Sequence, residues 1–201
     1  QFLCKGNDVN LTGNNLQILD IGSGGGGMLE MLKKYGSVFA MEKNPDSVAE
    51  IARRYGSDVH LIQTDLLSSN LPQNKFDVIT MFDVIEHIDD RVAALSMINK
   101  MLKPGGQIFL TVPAYLFLWS KHDEQANHKT RYTAKRLANE LSQAGFEINR
   151  LSYFNFFLFP GILLVRFLQK LLPSKQSIAS GKTDFAYGSN HIVNFVLEKI
   201  F

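Results

Sequence analysis

The sequence predicts an α/β protein: a doubly wound, mainly parallel sheet with helices on both faces. Three observations carry that expectation. Short apolar runs alternate with stretches of helical spacing from residue 17 to about residue 151. The runs are continuous rather than alternating, as in strands buried on both faces. Several of them close on an acid, at the carboxyl end of a strand, which is where ligands bind in such sheets.

The elements follow in order. Gln17–Asp20 is predicted as the first strand, and Met28–Lys34, with Met28, Leu29, Met31 and Leu32 apolar, as a helix. Val38–Met41 makes a second strand that ends on Glu42, and Ser47–Tyr55 a helix with Asp46 or Ser47 as its cap. Val59–Ile62 is a third strand ending near Asp65, and Phe76–Phe82 a fourth. Val92–Leu102 has helical spacing and meets a stop at Pro104-Gly105-Gly106. Ile108–Val112 is a fifth strand. Thr133–Ala144 is an amphipathic helix ended by Gly145, and Phe146–Leu151 a sixth strand.

The first strand delivers Ile21-Gly22-Ser23 and four further glycines. Glycines there let a loop turn tightly and bring backbone N–H groups to a ligand at a helix N-terminus. Gly22, Gly24 and Gly26 fit G-x-G-x-G, whereas Gly22, Gly24 and Gly27 fit the G-x-G-x-x-G of dinucleotide sites. Glu42, at the end of the second strand, can accept both hydrogen bonds of a ribose diol. Asp20, directly before the loop, can attract a ligand ammonium or a water. Asp65 stands where an adenine edge would lie, and Phe82, Asp83 and His87 sit at the mouth of the fourth strand.

These residues, with LKPGG before the fifth strand, resemble the class I S-adenosylmethionine-dependent methyltransferases, within the small-molecule group that includes the ubiquinone-biosynthesis O-methyltransferases. The resemblance covers about residues 17–150 and implies a Rossmann-like fold and S-adenosylmethionine as cofactor, with S-adenosylhomocysteine as product. It places Gly22, Gly24 and Gly26 beside the methionyl part, Asp20 at its amino group and Glu42 at the ribose hydroxyls. Lys43, Asp65 and the backbone of Leu66 would line the adenine, and Phe82 and Asp83 would pack beside the cofactor. Ser23 and Gly25 stand where relatives often carry cysteine or threonine. Relatives close their sheet with a final antiparallel strand, for which this sequence offers no candidate after residue 151, so that strand is expected to be missing.

Methyl transfer needs alignment, and a base only where the acceptor must lose a proton. His87, His122 and His128 are candidate bases, because histidine titrates closest to neutrality. His87 and His122 are taken as the catalytic pair, with the alternative that His87 orients a ligand. Asp83, Glu86 and His87 resemble part of a divalent-metal cluster of some relatives. Adjacent residues rarely share an ion unless a loop turns both inward, so no metal is expected.

After the fifth strand about 19 residues pass before the next helix, a length usual for functional loops. Their Trp119-Ser-x-His122-Asp123…His128-x-x-Arg131-Tyr132 pattern resembles bacterial methyltransferases thought to act in lipid or cell-surface sugar pathways. Trp119, His122, Asp123, His128, Arg131 and Tyr132 are therefore expected to wall the acceptor. The alternative is a structural network, with Asp123 paired to Arg131 and the histidines satisfied.

Three segments follow: a flank over 1–16, a cofactor-binding domain over 17–151 and a hydrophobic segment over 152–201. Eight of the 15 phenylalanines lie after residue 150. The run there is interrupted by Pro160-Gly161 and carries Arg166, and its length of about 17 residues falls short of the roughly 20 that span a membrane. Arg166, Gln169 and Lys170 recur at helical spacing opposite an apolar face, so residues 154–173 could form a lid, a peripheral membrane contact or a homodimer contact. The lone Cys4 suits a reducing cytoplasm, with attachment at the inner membrane face as an extension. A net charge of +2 gives no argument for nucleic acid. Lack of an initiator methionine and the stop on Phe201 are expected of a fragment. The leading expectation is methyl transfer to a small-molecule or lipid- or sugar-linked acceptor. A nicotinamide-dependent oxidoreductase is the rival enzyme, and a membrane- or protein-docking module of the same fold the non-catalytic alternative.

Overall fold

The structure, a computed structural model, describes residues 2–5 and 15–153. The expectations for residues 154–201 lie outside these. Seven strands form one sheet: β1 (Phe2–Lys5), β2 (Leu16–Ile21), β3 (Gly36–Glu42), β4 (His60–Gln63), β5 (Phe76–Phe82), β6 (Leu102–Thr111) and β7 (Arg150–Tyr153), in the order β4-β3-β2-β5-β6-β1-β7. The central five are parallel. Among the described residues five α-helices accompany them: α1 (Leu29–Leu32), α2 (Pro45–Tyr55), α3 (Arg91–Met101), α4 (Lys121–Gln125) and α5 (Ala134–Gln143).

Successive residues of a strand face opposite sides of the sheet, and here both sides are covered. Ile18, Val38, Ala40 and Val78 pack against Leu29 and Leu32 of α1 and Ile51 and Tyr55 of α2. Leu19, Ile79, Met81, Ile108 and Leu110 pack against Leu95 and Ile98 of α3 and Leu137 and Leu141 of α5. Strands sandwiched in this way have no use for polar alternation, which is why the runs in the sequence are continuous. The predicted doubly wound, Rossmann-like sheet is therefore present.

Local details differ from the sequence reading for identifiable reasons. α2 starts at Pro45 under an Asn44 cap, whose Oδ1 accepts from the N–H of Asp46 at 2.8 Å and of Ser47 at 3.2 Å, so neither Asp46 nor Ser47 is the cap. Proline suits that first position because its missing N–H has no intrahelical partner there. The Pro104-Gly105-Gly106 signal does follow α3, but β6 runs through it, with Gly105 at φ +79° and a register slip against β5 between Phe76 and Val78. The last described strand is Arg150–Tyr153 rather than Phe146–Leu151. Its register is set by the ladder with β1, where Leu3 faces Ser152, a partner no local pattern reveals.

That partner is itself a finding. β1 inserts between β6 and β7, antiparallel to both, so the sheet's antiparallel strand comes from the segment read as a turn-rich flank. The final antiparallel strand expected to be missing concerns residues outside the described ones.

Candidate functional site

At the carboxyl ends of β2, β3, β4 and β5 lies a cavity of about 710 Å³, within the roughly 300–1,000 Å³ usual for small-molecule sites. It is lined by Gly22, by Met41, Glu42 and Lys43 at the end of β3, by Asp65 and Leu66 after β4, by Asp83, Val84 and His87 after β5, and by Ala126, Asn127 and Lys129 from the segment after β6.

The glycine loop is held from across the sheet. Gly24 N–H donates to Glu42 Oε2 at 2.8 Å, while Lys43 and Asn44 N–H both donate to Oε1 at 2.8 Å. Gly22, Gly24 and Gly26 all have positive φ, the left-handed region that favours glycine. At Gly22 the need is twofold, because an added Cβ would lie 2.5 Å from a Val84 methyl. Asp20 is buried beneath the loop and accepts a 2.6 Å hydrogen bond from Thr80. Burial raises its pKa, against the hydrogen bonds of Thr80 and Ser23. It is not among the cavity's lining residues, nor are Gly24, Gly26 and Phe82. Lys43 and Asp65 line it as a pair of exposed side chains 3.7 Å apart.

On the opposite wall, Asp83 sits at φ +52° and accepts from the Thr111 hydroxyl at 3.1 Å. A 3-10 turn over Ile85–His87 then points Glu86 inward and His87 toward the cavity. Glu86 is fully buried, and neither of its carboxylate oxygens has a hydrogen-bond partner. Burial, reinforced by Asp83 and Asp123, pushes its pKa up to about 8 against opposing backbone and Arg131 contributions. His87 is shifted down, first by burial and then by His128, whose ring lies edge-on 4.8 Å away between centroids.

The segment between β6 and α5 closes on itself. Ala114 bridges Tyr132, Arg131 Nη1 donates to the Ala114 carbonyl at 3.1 Å, and α4 lies in between. Its centre is Asp123, fully buried, which accepts five hydrogen bonds: Ser120 N–H and hydroxyl, His128 Nδ1, and Arg131 Nε and Nη2, all at 2.7–3.0 Å. Burial works to raise the Asp123 carboxyl, and the hydrogen bonds of Arg131, His128 and Ser120 outweigh it, holding it well below the usual range. Tyr132 is buried with its hydroxyl on Glu140 at 3.1 Å; burial and then the Glu140 charge raise its pKa.

The Trp119–Tyr132 segment is thus divided. Asp123, Arg131 and His128 form the paired network that was the alternative to a substrate wall, and neither they nor Trp119 and Tyr132 line the cavity. The lining falls to Ala126, Asn127 and Lys129, which the sequence reading passed over. His122 lies in α4, with its side chain outside the described part. The condition for an adjacent pair to converge on one point is met by the turn at Glu86 and His87, and His128 brings a third donor. One ligand-type atom of each lies within 4.8 Å of the others. The Glu86-His87 pair was visible in sequence, whereas His128 joins it only through the fold.

A family model described as a methyltransferase domain matches residues 7–151. The ubiquinone biosynthesis O-methyltransferase of Pseudomonas fluorescens strain Pf0-1 is 32% identical over 120 residues, covering 54% of this chain and 50% of that protein. The chain therefore spans about half the length of the curated relatives it matches. In fold it is similar to an S-adenosylmethionine-dependent methyltransferase of Mesorhizobium loti, with a TM-score of 0.62 at 19% identity over 80% of this chain and 88% of that one. It is similar also to one of Aquifex aeolicus, with a TM-score of 0.58 at 19% identity over 70% and 77% of the two chains.

Proposed function

The chain belongs to the methyltransferase-domain family, and from that premise we propose that it moves a methyl group from S-adenosylmethionine to a small-molecule acceptor, one linked to a lipid or a sugar. The observation that carries this reading is the Glu42 carboxylate, which fastens the glycine loop at Gly24 while lining the cavity at the strand ends. When bound, the cofactor supplies a methyl on a sulfonium, already activated for in-line displacement. The chain's own groups bind and orient. Glu42, with Oε1 taken by Lys43 and Asn44 and Oε2 by Gly24, keeps one acceptor site on Oε2 for a ribose hydroxyl. Asp65 and Leu66 meet the adenine with Lys43 beside them, and Gly22 admits close approach of the methionyl part. Asp20, with Phe82 and the glycines Gly24 and Gly26, supports this surface from behind.

Fit rests on the cradle itself. An open cavity of this size beside positive-φ glycines accepts a nucleoside-sized ligand, and a Cβ at Gly22 would not be tolerated. His87 faces the cavity and accepts the acceptor's proton where the acceptor is a hydroxyl. Residues 154–173 are proposed to hold the protein at a membrane surface.

A second reading of the His87 wall is favoured by Glu86. A buried carboxyl without hydrogen-bond partners is costly, its Oε1 lies 4.0 Å from His128 Nε2, and together with two imidazole nitrogens it makes a donor set for a divalent cation. Asp123 on His128 Nδ1 is the kind of outer partner that orients a ligating histidine. Such an ion would polarise an acceptor hydroxyl and replace His87 as the agent of proton loss.

Calorimetry with S-adenosylhomocysteine tests the main reading. Binding by the intact chain, lost on Glu42→Ala, is the expected result; no binding at all sinks it. Activity that survives a chelator separates His87 as proton acceptor from the cation.

A further inference from the structure

The last turn of α2 reaches back to the glycine loop. Tyr55 belongs to the buried cluster with Leu29 and Ile51, a place that asks only for an apolar ring. Its hydroxyl is the one heavy atom that a phenylalanine there would lack, and it donates to the Gly26 carbonyl at 2.8 Å across 29 positions of sequence. The ring confines the same residue from the side. Gly26 sits at φ +80°, and an added Cβ would lie 2.9 Å from Tyr55 Cε2. The exposed Arg54 donates to the Gly25 carbonyl at 2.6 Å, with its guanidinium 5.1 Å from the Tyr55 ring centroid.

These contacts complete the hold on the loop. Gly22 and Ser23 N–H donate to the Met41 carbonyl at 2.8 and 3.2 Å, and Gly24 N–H donates to Glu42. Strand β3 thus grips the loop by its N–H groups, and α2 grips it by its carbonyls. Glycine has the widest backbone freedom of any residue, so a run of them keeps one shape only under outside restraint. Side chains give little of it here: a Cβ at Gly24, Gly25 or Gly27 would meet nothing within 4 Å. In the far half of the loop the carbonyl contacts from α2 supply it.

We propose that Tyr55 is a positioning residue for the cofactor: through the Gly26 carbonyl it holds the glycine loop in the shape that receives the methionyl part. The identity of that ligand rests on the methyltransferase reading; the grip on the loop does not.

Two ligands separate positioning from simple support of the fold. S-adenosylhomocysteine carries the amino-acid part, whereas 5′-methylthioadenosine keeps the adenine, ribose and thioether without it. In calorimetry on the intact chain, Tyr55→Phe should weaken S-adenosylhomocysteine about three- to tenfold, the worth of one hydrogen bond. It should leave 5′-methylthioadenosine within about twofold of wild type, since the variant keeps the ring and its packing. Hydrogen–deuterium exchange without ligand should quicken over residues 22–28 of the variant and stay at the wild-type rate in β5. Equal weakening of the two ligands overturns the proposal, because a general loss of structure then explains both. So does S-adenosylhomocysteine affinity within about twofold of wild type, or unchanged exchange over residues 22–28. A wild-type chain that binds neither ligand, while the exchange difference is present, counts against the methyltransferase reading and leaves the grip of Tyr55 on the loop standing.

Discussion

The Glu42 carboxylate accepts the Gly24 N–H at 2.8 Å across 18 positions of sequence, tying the end of β3 to the loop after β2. One side chain thereby both shapes the loop and faces the cavity. Glu42→Ala should lower stability by about 2–3 kcal/mol, as expected for lost hydrogen bonds to a buried charge. It should also weaken S-adenosylhomocysteine more than tenfold, read by calorimetry alongside thermal melting. Glu42→Gln, which keeps one acceptor oxygen, should fall between the two.

Gly22 and Gly24 share a backbone conformation but not a neighbourhood, since a Cβ meets Val84 at Gly22 and nothing within 4 Å at Gly24. Gly22→Ala should therefore destabilise by roughly 2–4 kcal/mol, combining overpacking with left-handed strain, against about 1 kcal/mol for Gly24→Ala. Adding Val84→Ala to Gly22→Ala should restore the steric part only. A double-mutant cycle by denaturant melting checks it, and additive losses would refute the contact.

Asp20 gives a pH dependence. Its folded pKa is raised, chiefly by burial, above the ordinary value of 3.8, so the folded state holds this proton more tightly than the unfolded chain does. Stability from this group is present below pH 3.8 and is lost as pH rises from there through the folded pKa. Asp20→Asn keeps an acceptor for the Thr80 hydroxyl and removes the titration. Its melting temperature at pH 7 should equal or exceed wild type, with a flatter pH profile in the acid range.

Asp123→Ala should be the most damaging of these changes, by about 3–5 kcal/mol, because it strands a largely buried Arg131. The doubly altered Asp123→Asn/Arg131→Gln should recover part of the loss. Equal melting of the single and double variants would show that the pair is not the source of the cost.

The cation reading is checked by titrating Mn²⁺ into chelator-treated protein. Glu86→Gln and His128→Gln should each weaken binding by about ten- to a hundredfold. No uptake by the intact protein leaves His87 alone on that wall.

The sheet and the glycine loop were legible because they are local. A strand buried on both faces writes itself as a continuous run, and Gly22–Gly26 with Glu42 sit at strand ends that topology makes neighbours. The wall over the cavity was legible only in part. Glu86 and His87 are adjacent in sequence, but His128 reaches them through the closure of Ala114 on Tyr132, which no spacing encodes. Asp123 and Arg131 were read both as wall and as ion pair, and their pairing is a contact that appears only once the segment has folded. Phe2–Lys5 was missed because four residues carry no period of their own, and the slot they fill exists only once β6 and β7 are in place.

That slot has a kinetic meaning. β1 is the first described strand in the chain, yet its ladder partners are Leu110 and residues 150–153. The parallel strands can assemble from neighbours, whereas this edge must wait for loop closures of more than about a hundred residues, the slow class of folding contact. During synthesis β1 emerges before the other described strands yet can pair only after β6 and β7 have formed, and until then the strand bearing Tyr153 has no described partner to hold the stack of Tyr153 on Tyr115.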